Sequence, residues 1–331
     1  MDDGLLVYES LNGTINIGDY IQSLAARQFI GNNPVYVNRE HLDTYRGVKI
    51  RLILNGWFMH YPENFPPADN IIPIFLSFHL NKGANRILLD NKNVEYFRQY
   101  EPIGCRDLYT MDLLIEKGIK AYFSGCLTLT LGNIYKNLIN PRKDIYIVDP
   151  YIGHSIKSYI SIISCLKQNI RKIYKISTLK YKNVNLSSLI YSALFYHQYN
   201  VIWPDEILLN AVYIDHYVKY SNDDEHFIHA DEVLKKYADA KLIITSRIHA
   251  ALPATGMNTP CVFVYSPNQS ETDKCRMSGL LELLNVVIHT GVKIENDNQI
   301  DVINPKIKND YLEVKNNLIS TLAKRRIEYD T

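Results

Sequence analysis

Short apolar runs alternate with amphipathic helical patterns along most of the chain, and no other feature limits the possible folds so strongly. Strand-like runs fall at Leu5 to Tyr8, Val48 to Leu54, Ile71 to Phe78, Arg86 to Leu89 and, in part, Tyr122 to Leu131. Helical patterns separate some of them, at Tyr20 to Phe29 and at Leu108 to Lys117. The second is followed by Gly118, a residue suited to the turn that ends many helices. This alternation predicts an α/β fold in which a mostly parallel sheet carries helices on both faces. After Asn140-Pro141-Arg142 the pattern starts again, with strands expected at Ile145 to Val148, Asn200 to Trp203, Leu242 to Thr245 and Cys261 to Tyr265. Apolar spacing over Tyr311 to Arg325 predicts a long closing helix. At 331 residues the chain exceeds one ordinary hydrophobic core. Two domains are expected, 1–142 and 143–305, with 306–331 closing the fold and a cleft between the halves.

Charge and composition exclude several classes. The formal net charge is +1 and no nucleic-acid motif is present, so nucleic acid is not an expected partner. No run approaches the roughly 20 apolar residues of a membrane-spanning helix. Met-Asp-Asp leads straight into Leu-Leu-Val-Tyr without the basic flank and apolar stretch of a secretory signal, which predicts a cytoplasmic location. The five cysteines (Cys105, Cys126, Cys165, Cys261, Cys275) are widely spaced and form no C-x-x-C, so they read as reduced thiols. His226 and His229 have the spacing of a metal pair, but they follow Asp223-Asp224-Glu225 and read as a solvated segment leading into a helix; no metal is expected. Charge is unevenly placed, however: Pro150 to Pro204 holds no Asp or Glu, while Lys157, Lys167, Arg171, Lys172, Lys175, Lys180 and Lys182 all fall within it. That segment predicts peripheral contact with an anionic membrane surface or with the diphosphate of a lipid-linked substrate, the plain alternative being a solvated basic helix face.

The segment richest in chemistry is Lys241-Leu-Ile-Ile-Thr-Ser-Arg-Ile-His-Ala-Ala-Leu, a buried-strand pattern that runs into Ser246, an N-cap type of residue. Arg247 and His249 then fall in the first helical turn, at the carboxyl edge of a parallel strand where open α/β sheets bind ligands. Free N–H groups at a helix start favour anions, a guanidinium matches phosphate or carboxylate, and an adjacent imidazole can deliver a proton. An anionic substrate undergoing proton transfer is the functional reading. The structural alternative is an Arg paired with an acid such as Asp239 beside a packing His.

Thr245-Ser-Arg-Ile-His-Ala250, followed by Thr259-Pro260 and the strand Cys261 to Tyr265, resembles the C-terminal signature of the polysaccharide pyruvyl transferase family. Asn16-Ile-Gly-Asp19 before an amphipathic helix resembles that family's N-terminal turn, and Gly104-Cys-Arg-Asp107 its central block. The resemblance implies two Rossmann-like domains in a GT-B-like arrangement, an active site in the interdomain cleft, and phosphoenolpyruvate as donor substrate without a further cofactor. It implies that Arg106 and Arg247 bind the donor's phosphate and carboxylate and that His249 is the general acid. It further implies that Asn16, Gly18 and Asp19 face a glycan acceptor, lipid-linked or free, with Asp19 a candidate base. Ser246 joins the donor side. The family's usual Lys after the following strand is displaced here, leaving Lys274 and Arg276 as candidates for the donor phosphate. Plain structural roles compete: for Arg106, pairing with Asp107 or Glu101, and for Asp19, capping of a helix starting at Tyr20.

Two other functions fit the same architecture. One is a glycosyltransferase using a nucleotide sugar, the other a non-catalytic binder of phosphorylated glycans. A Rossmann dehydrogenase is disfavoured because no Gly-x-Gly-x-x-Gly follows the first strand.

Overall fold

The structure is a computed structural model and describes residues 1–10, 13–219 and 222–330, the last five by backbone alone. Its first half supplies β1 (Asp2–Val7), β2 (Ile15–Asn16), β3 (Val35–Asn38), β4 (Ile50–Phe58), β5 (Ile71–Leu80), β6 (Ile103–Cys105) and β7 (Ala121–Phe123). Six of these form a wholly parallel sheet in the order β3-β1-β4-β5-β6-β7. Its second half supplies β8 (Ile145–Val148), β9 (Val212–Ile214), β10 (Tyr217–Val218), β11 (Leu242–Thr245), β12 (Cys261–Tyr265), β13 (Val286–His289) and β14 (Ile294–Glu295). The second sheet runs β14-β13-β12-β11-β8-β9, parallel except for the β14 edge. The chain passes from one sheet to the other between Phe123 and Ile145, which brackets Asn140-Pro141. Strands β4, β11 and β12 are apolar and buried almost throughout, as expected where helices cover both faces of a parallel sheet.

The helices are α1 (Ile17–Arg27), α2 (Asn85–Leu88), α3 (Asn91–Arg98), α4 (Leu108–Glu116), α5 (Ile156–Lys180), α6 (Leu186–Tyr199), α7 (Asp205–Leu208), α8 (Asp223–Asp239), α9 (Ile248–Gly256), α10 (Glu271–Cys275) and α11 (Tyr311–Asp330). One core runs from the first sheet through Ala230 and Tyr237 of α8, Ile248 and Ala250 of α9, and Leu318 and Leu322 of α11. A second core lies beneath the second sheet, where Ile147, Ile244 and Val262 meet Ile162 and Ile173 of α5 and Leu194 of α6. The halves are tied directly. β2 pairs antiparallel with β10, and a Cβ on Gly132 would lie 1.9 Å from the Gly256 carbonyl oxygen, so backbone meets backbone there.

Three expected strands differ. Arg86 to Leu89 falls on α2 and its C-cap, turned so that Leu88 packs inward while Ile87 stays exposed. Asn200 to Trp203 is a turn after α6: Trp203 is apolar because it plugs the second core, its indole N–H bonded to the Val302 carbonyl at 3.0 Å. The strand instead comes later, as β9. The run after Tyr122 gives only the short β7 and then a tight 3-10 turn over Leu127–Asn133, whose leucines fill the first core. All five cysteines are free thiols and four are buried.

Candidate functional site

Each sheet has one place where consecutive connections leave in opposite directions, and a cavity lies at both. In the first sheet β1 is flanked by β3 and β4; Tyr8 follows β1 and Trp57 lies near the end of β4. Both line a cavity of about 330 Å³ with Glu9, Asn16, Asp19 and Arg39. In the second sheet β8 is flanked by β9 and β11; Asp149 follows β8, and Ser246 and Arg247 follow β11. These three line a cavity of about 640 Å³. Arg276 borders both. Crevices outside the carboxyl ends of strands at such switch points are where open α/β sheets hold ligands.

The local chain explains how each side chain arrives. Asn16 is the N-cap of α1, its Oδ1 accepting the Gly18 N–H at 3.0 Å. The helix therefore begins two residues before Asp19, which is released from capping. The Asp19 carboxylate instead accepts from Gln22 Nε2 at 3.1 Å and lies 3.8 Å from the Arg39 guanidinium. Gly18 is there for close approach: a Cβ would sit 3.1 Å from His249 Nδ1 and 3.2 Å from its Cβ. Thus α1 and α9 meet at Gly18 and His249.

The expected N-cap of α9 shifts by one residue. Arg247 occupies that position without a side-chain cap, because a guanidinium cannot accept a hydrogen bond, and its own N–H donates to the Thr245 hydroxyl at 2.9 Å. The Ser246 hydroxyl turns away to accept the Tyr151 N–H at 2.8 Å. Arg247 does not pair with Asp239. Its Nε donates to Asp149 at 2.9 Å, and its guanidinium lies 4.8 Å from the Tyr217 ring centroid. Asp149 has φ 38°, the left-handed region that non-glycine residues rarely occupy, and it also accepts the His216 N–H at 3.0 Å. Burial would raise the Asp149 carboxyl, but Arg247 and then His216 outweigh it and hold the group below its ordinary range.

Behind the cavities is a group of buried donors. Arg106 follows β6, is fully buried, and its Nε lies 3.6 Å from Asp107. That carboxylate is already engaged by His79 at 2.6 Å and by the Thr110 N–H at 2.9 Å, where Asp107 caps α4. Arg106 Nη1 reaches Gln22 at 3.3 Å, while its Nε and Nη2 have no hydrogen-bond partner among the described residues. The same holds for Arg276 Nε and His249 Nε2. His249 is 4% exposed, and burial, then Arg106, Arg276, His216 and Arg247, drive its pKa well below the ordinary imidazole value. The proton is thus disfavoured first by lost hydration and only then by neighbouring cations. Burial and then Arg106 also lower the proton affinity of Arg276.

Lys274 does not join the site: it pairs with Glu271 on α10 and lines neither cavity. His226 and His229 lie on α8 rather than in a solvated segment, with His226 buried 4.8 Å from the Tyr20 ring centroid. Among the described residues no group of three or more His, Cys, Asp or Glu is arranged to hold a metal. Four residues escaped the sequence reading. Asp149 and Trp57 fall just beyond the apolar runs Ile145 to Val148 and Val48 to Leu54, and nothing distinguishes Arg39 or His216 from other polar residues. Yet Arg39 is buried, bonded to Glu40 at 2.7 Å, with its guanidinium 4.7 Å from the Tyr8 ring and 5.0 Å from the Trp57 ring. His216 is bonded to Tyr237 at 2.7 Å, and burial holds its pKa at about 4.

Neither the curated proteins nor the solved structures contain a match to the chain. A family profile described as polysaccharide pyruvyl transferase matches residues 16–268, a span that takes in Asn16, Arg106, Arg247 and His249 and ends just past β12. With three quarters of its length inside that match, the chain belongs to the polysaccharide pyruvyl transferase family.

Proposed function

We propose that this protein moves a pyruvyl group from phosphoenolpyruvate to a sugar of a surface polysaccharide or of its lipid-linked precursor, releasing phosphate. One observation carries the donor: Arg106, Arg276 and His249 bury four nitrogens without hydrogen-bond partners among the described residues. Buried polar groups are almost always paired, so three orphaned guanidinium nitrogens beside a buried imidazole call for an anionic, acceptor-rich ligand. A molecule carrying both a phosphate and a carboxylate supplies that. Arg247, Ser246 and the uncapped start of α9 hold it from the larger cavity. We read 1–142 and 143–305 as two domains in a GT-B-like arrangement, closed by 306–331, with the donor between them.

In this reading His249 is the general acid. It delivers a proton to the donor's methylene carbon while an acceptor hydroxyl, deprotonated by Asp19 from the smaller cavity, adds to the neighbouring carbon. The bond from that carbon to the phosphate oxygen then breaks, and a second hydroxyl of the same sugar adds to the carbon, its proton passing to the departing phosphate, to close the cyclic ketal. Free imidazole here is neutral, so the donor's own negative charge must raise the His249 pKa before it can act. The reaction thereby waits for the donor.

The test is phosphate release from phosphoenolpyruvate with a panel of lipid-linked galactose and N-acetylmannosamine acceptors. Release with transfer of mass to the glycan supports the reading. Binding of a UDP-sugar in preference to phosphoenolpyruvate by isothermal titration would replace it with glycosyl transfer, and binding without turnover of any donor with a glycan-binding role.

A further inference from the structure

Helix α5 turns an apolar stripe outward. Ile156, Tyr159, Ile160 and Ile163, and beyond a break at Asn169 also Ile170 and Tyr174, are each 43% to 79% exposed. Their spacing places them on one side of the helix, while Ile162, Cys165, Ile173 and Ile176 of the same helix fill the second core on the other. A helix of a water-facing domain normally shows solvent a polar side, so this one carries two apolar faces with a single core to cover. Lys157, Lys167, Arg171 and Lys175 are exposed beside the stripe, within the segment that holds no Asp or Glu. Lys172 differs, since it is paired with Asp205 of α7 at 2.6 Å. Exposed apolar side chains rimmed by basic residues, all but Lys172 without an acidic partner among the described residues, are the pattern of a helix that lies in a bilayer interface.

We propose that the outward face of α5 docks this protein on an anionic phospholipid bilayer, its isoleucines seated at the headgroup boundary and its lysines and arginine against the lipid phosphates. Charge complementarity selects this occupant, because a protein partner of ordinary composition would offer no continuous negative surface. No helix among the described residues is long and apolar enough to cross a membrane, so attachment is peripheral. The stripe also leads to the larger cavity. Tyr159 bonds its hydroxyl to His154 Nδ1 at 3.0 Å, and His154 lines that cavity with Lys180, Tyr181 and Tyr191 from α5, its loop and α6. Docking therefore sets the mouth of the larger cavity close to the lipid surface.

The experiment is co-sedimentation of the full chain with vesicles of phosphatidylcholine alone and of phosphatidylcholine with 30% phosphatidylglycerol, about a third anionic lipid. Binding is expected to the anionic vesicles only, and to weaken with salt. Charge reversal at Lys157, Arg171 and Lys175 together should lower it on the order of a hundredfold, since each basic residue near such a surface contributes about fivefold. The triple change Ile156→Ser, Ile160→Ser and Ile163→Ser should also abolish it while all charges remain, and unaltered thermal melting would show that the exposed positions were not needed for folding. Equal partitioning to neutral vesicles, no binding to either, or full binding by both variants would overturn the proposal. So would a dimer in solution, measured by light scattering, that the serine variant dissociates, because a second copy would then cover the stripe. None of these outcomes depends on donor chemistry: a chain inactive on phosphoenolpyruvate would still bind vesicles.

Discussion

The two cavities occupy equivalent places in two similar sheets, yet the residues at their strand ends differ in character. At the second sheet the residues just past the strands are Asp149, Ser246 and Arg247, an acid, a hydroxyl and a guanidinium. At the first sheet Tyr8 and Trp57 hold the corresponding places, and with Tyr217 they give three aromatic rings beside Glu9 and Asp19. Fold supplies the location, whereas one or two residues at each strand end decide the chemistry. In the proposed function the charged donor sits beside Asp149 and Arg247, and the sugar, with apolar ring faces and hydroxyl edges, beside Tyr8 and Trp57. His249 stands at the seam, carried by α9 of the second sheet and pressed against Gly18 of α1.

The hardest way to break this division is at the seam. His249→Gln should leave phosphoenolpyruvate binding within a fewfold of normal while turnover falls roughly a hundredfold to ten-thousandfold, the range for a positioned acid. Its pH dependence has a definite sign. Acid catalysis needs the imidazolium, so turnover at saturating donor should fall as pH rises through the His249 pKa of the donor complex. Without donor, burial and then Arg106 depress that pKa, so the first-order dependence on donor should begin to fall at a lower pH than turnover does. A Gln variant that kept near-normal turnover across that range would move the proton donor elsewhere.

Changes confined to one wall should separate the substrates. Arg247→Lys keeps the charge but loses the planar fork, and the ammonium cannot hold both Asp149 and a donor oxygen in the same geometry. Donor KM should rise on the order of tenfold to a hundredfold, with acceptor KM little changed, in initial-rate kinetics with either substrate varied. Trp57→Ala removes one ring of the smaller cavity and should raise acceptor KM by about tenfold, an aromatic contact's usual worth, leaving donor KM unchanged. The two profiles are mirror images. If Trp57→Ala raised donor KM instead, the donor would occupy the smaller cavity and the two assignments would exchange.

How much of this was readable beforehand differs between backbone and site. The parallel α/β class, the restart after Asn140-Pro141 and the β11–α9 turn all follow from runs of consecutive residues, whose periodicity survives in a bare sequence. The missed pieces depend on distant partners. Trp203 looked like a strand residue because sequence shows that it is apolar but not that Val302 waits for its indole N–H. Asp149 and Arg247 are 98 positions apart and meet only because β8 and β11 are neighbours. Arg106 and Asp107 carry the opposite lesson: the plain pairing expected from their adjacency is present, but at 3.6 Å with the carboxylate engaged elsewhere, so it does not satisfy the guanidinium.

Gly18 offers the smallest and most discriminating change, because it touches His249 without lining either cavity. A methyl group there would meet His249 Nδ1 at 3.1 Å, His249 Cβ at 3.2 Å and Asn16 Oδ1 at 3.1 Å, so the imidazole must yield by a few tenths of an ångström. Gly18 lies inside α1, where alanine is the better helix former by about 1 kcal/mol, and this gain offsets part of the crowding. Gly18→Ala should therefore leave thermal stability within a few degrees of the parent while turnover drops several-fold to about tenfold, because catalytic geometry tolerates displacement less well than packing does. Both KM values should hold. A variant with raised KM for one substrate would show that Gly18 acts on a cavity wall, and one with wholly normal kinetics would show that His249 need not be held where α1 places it.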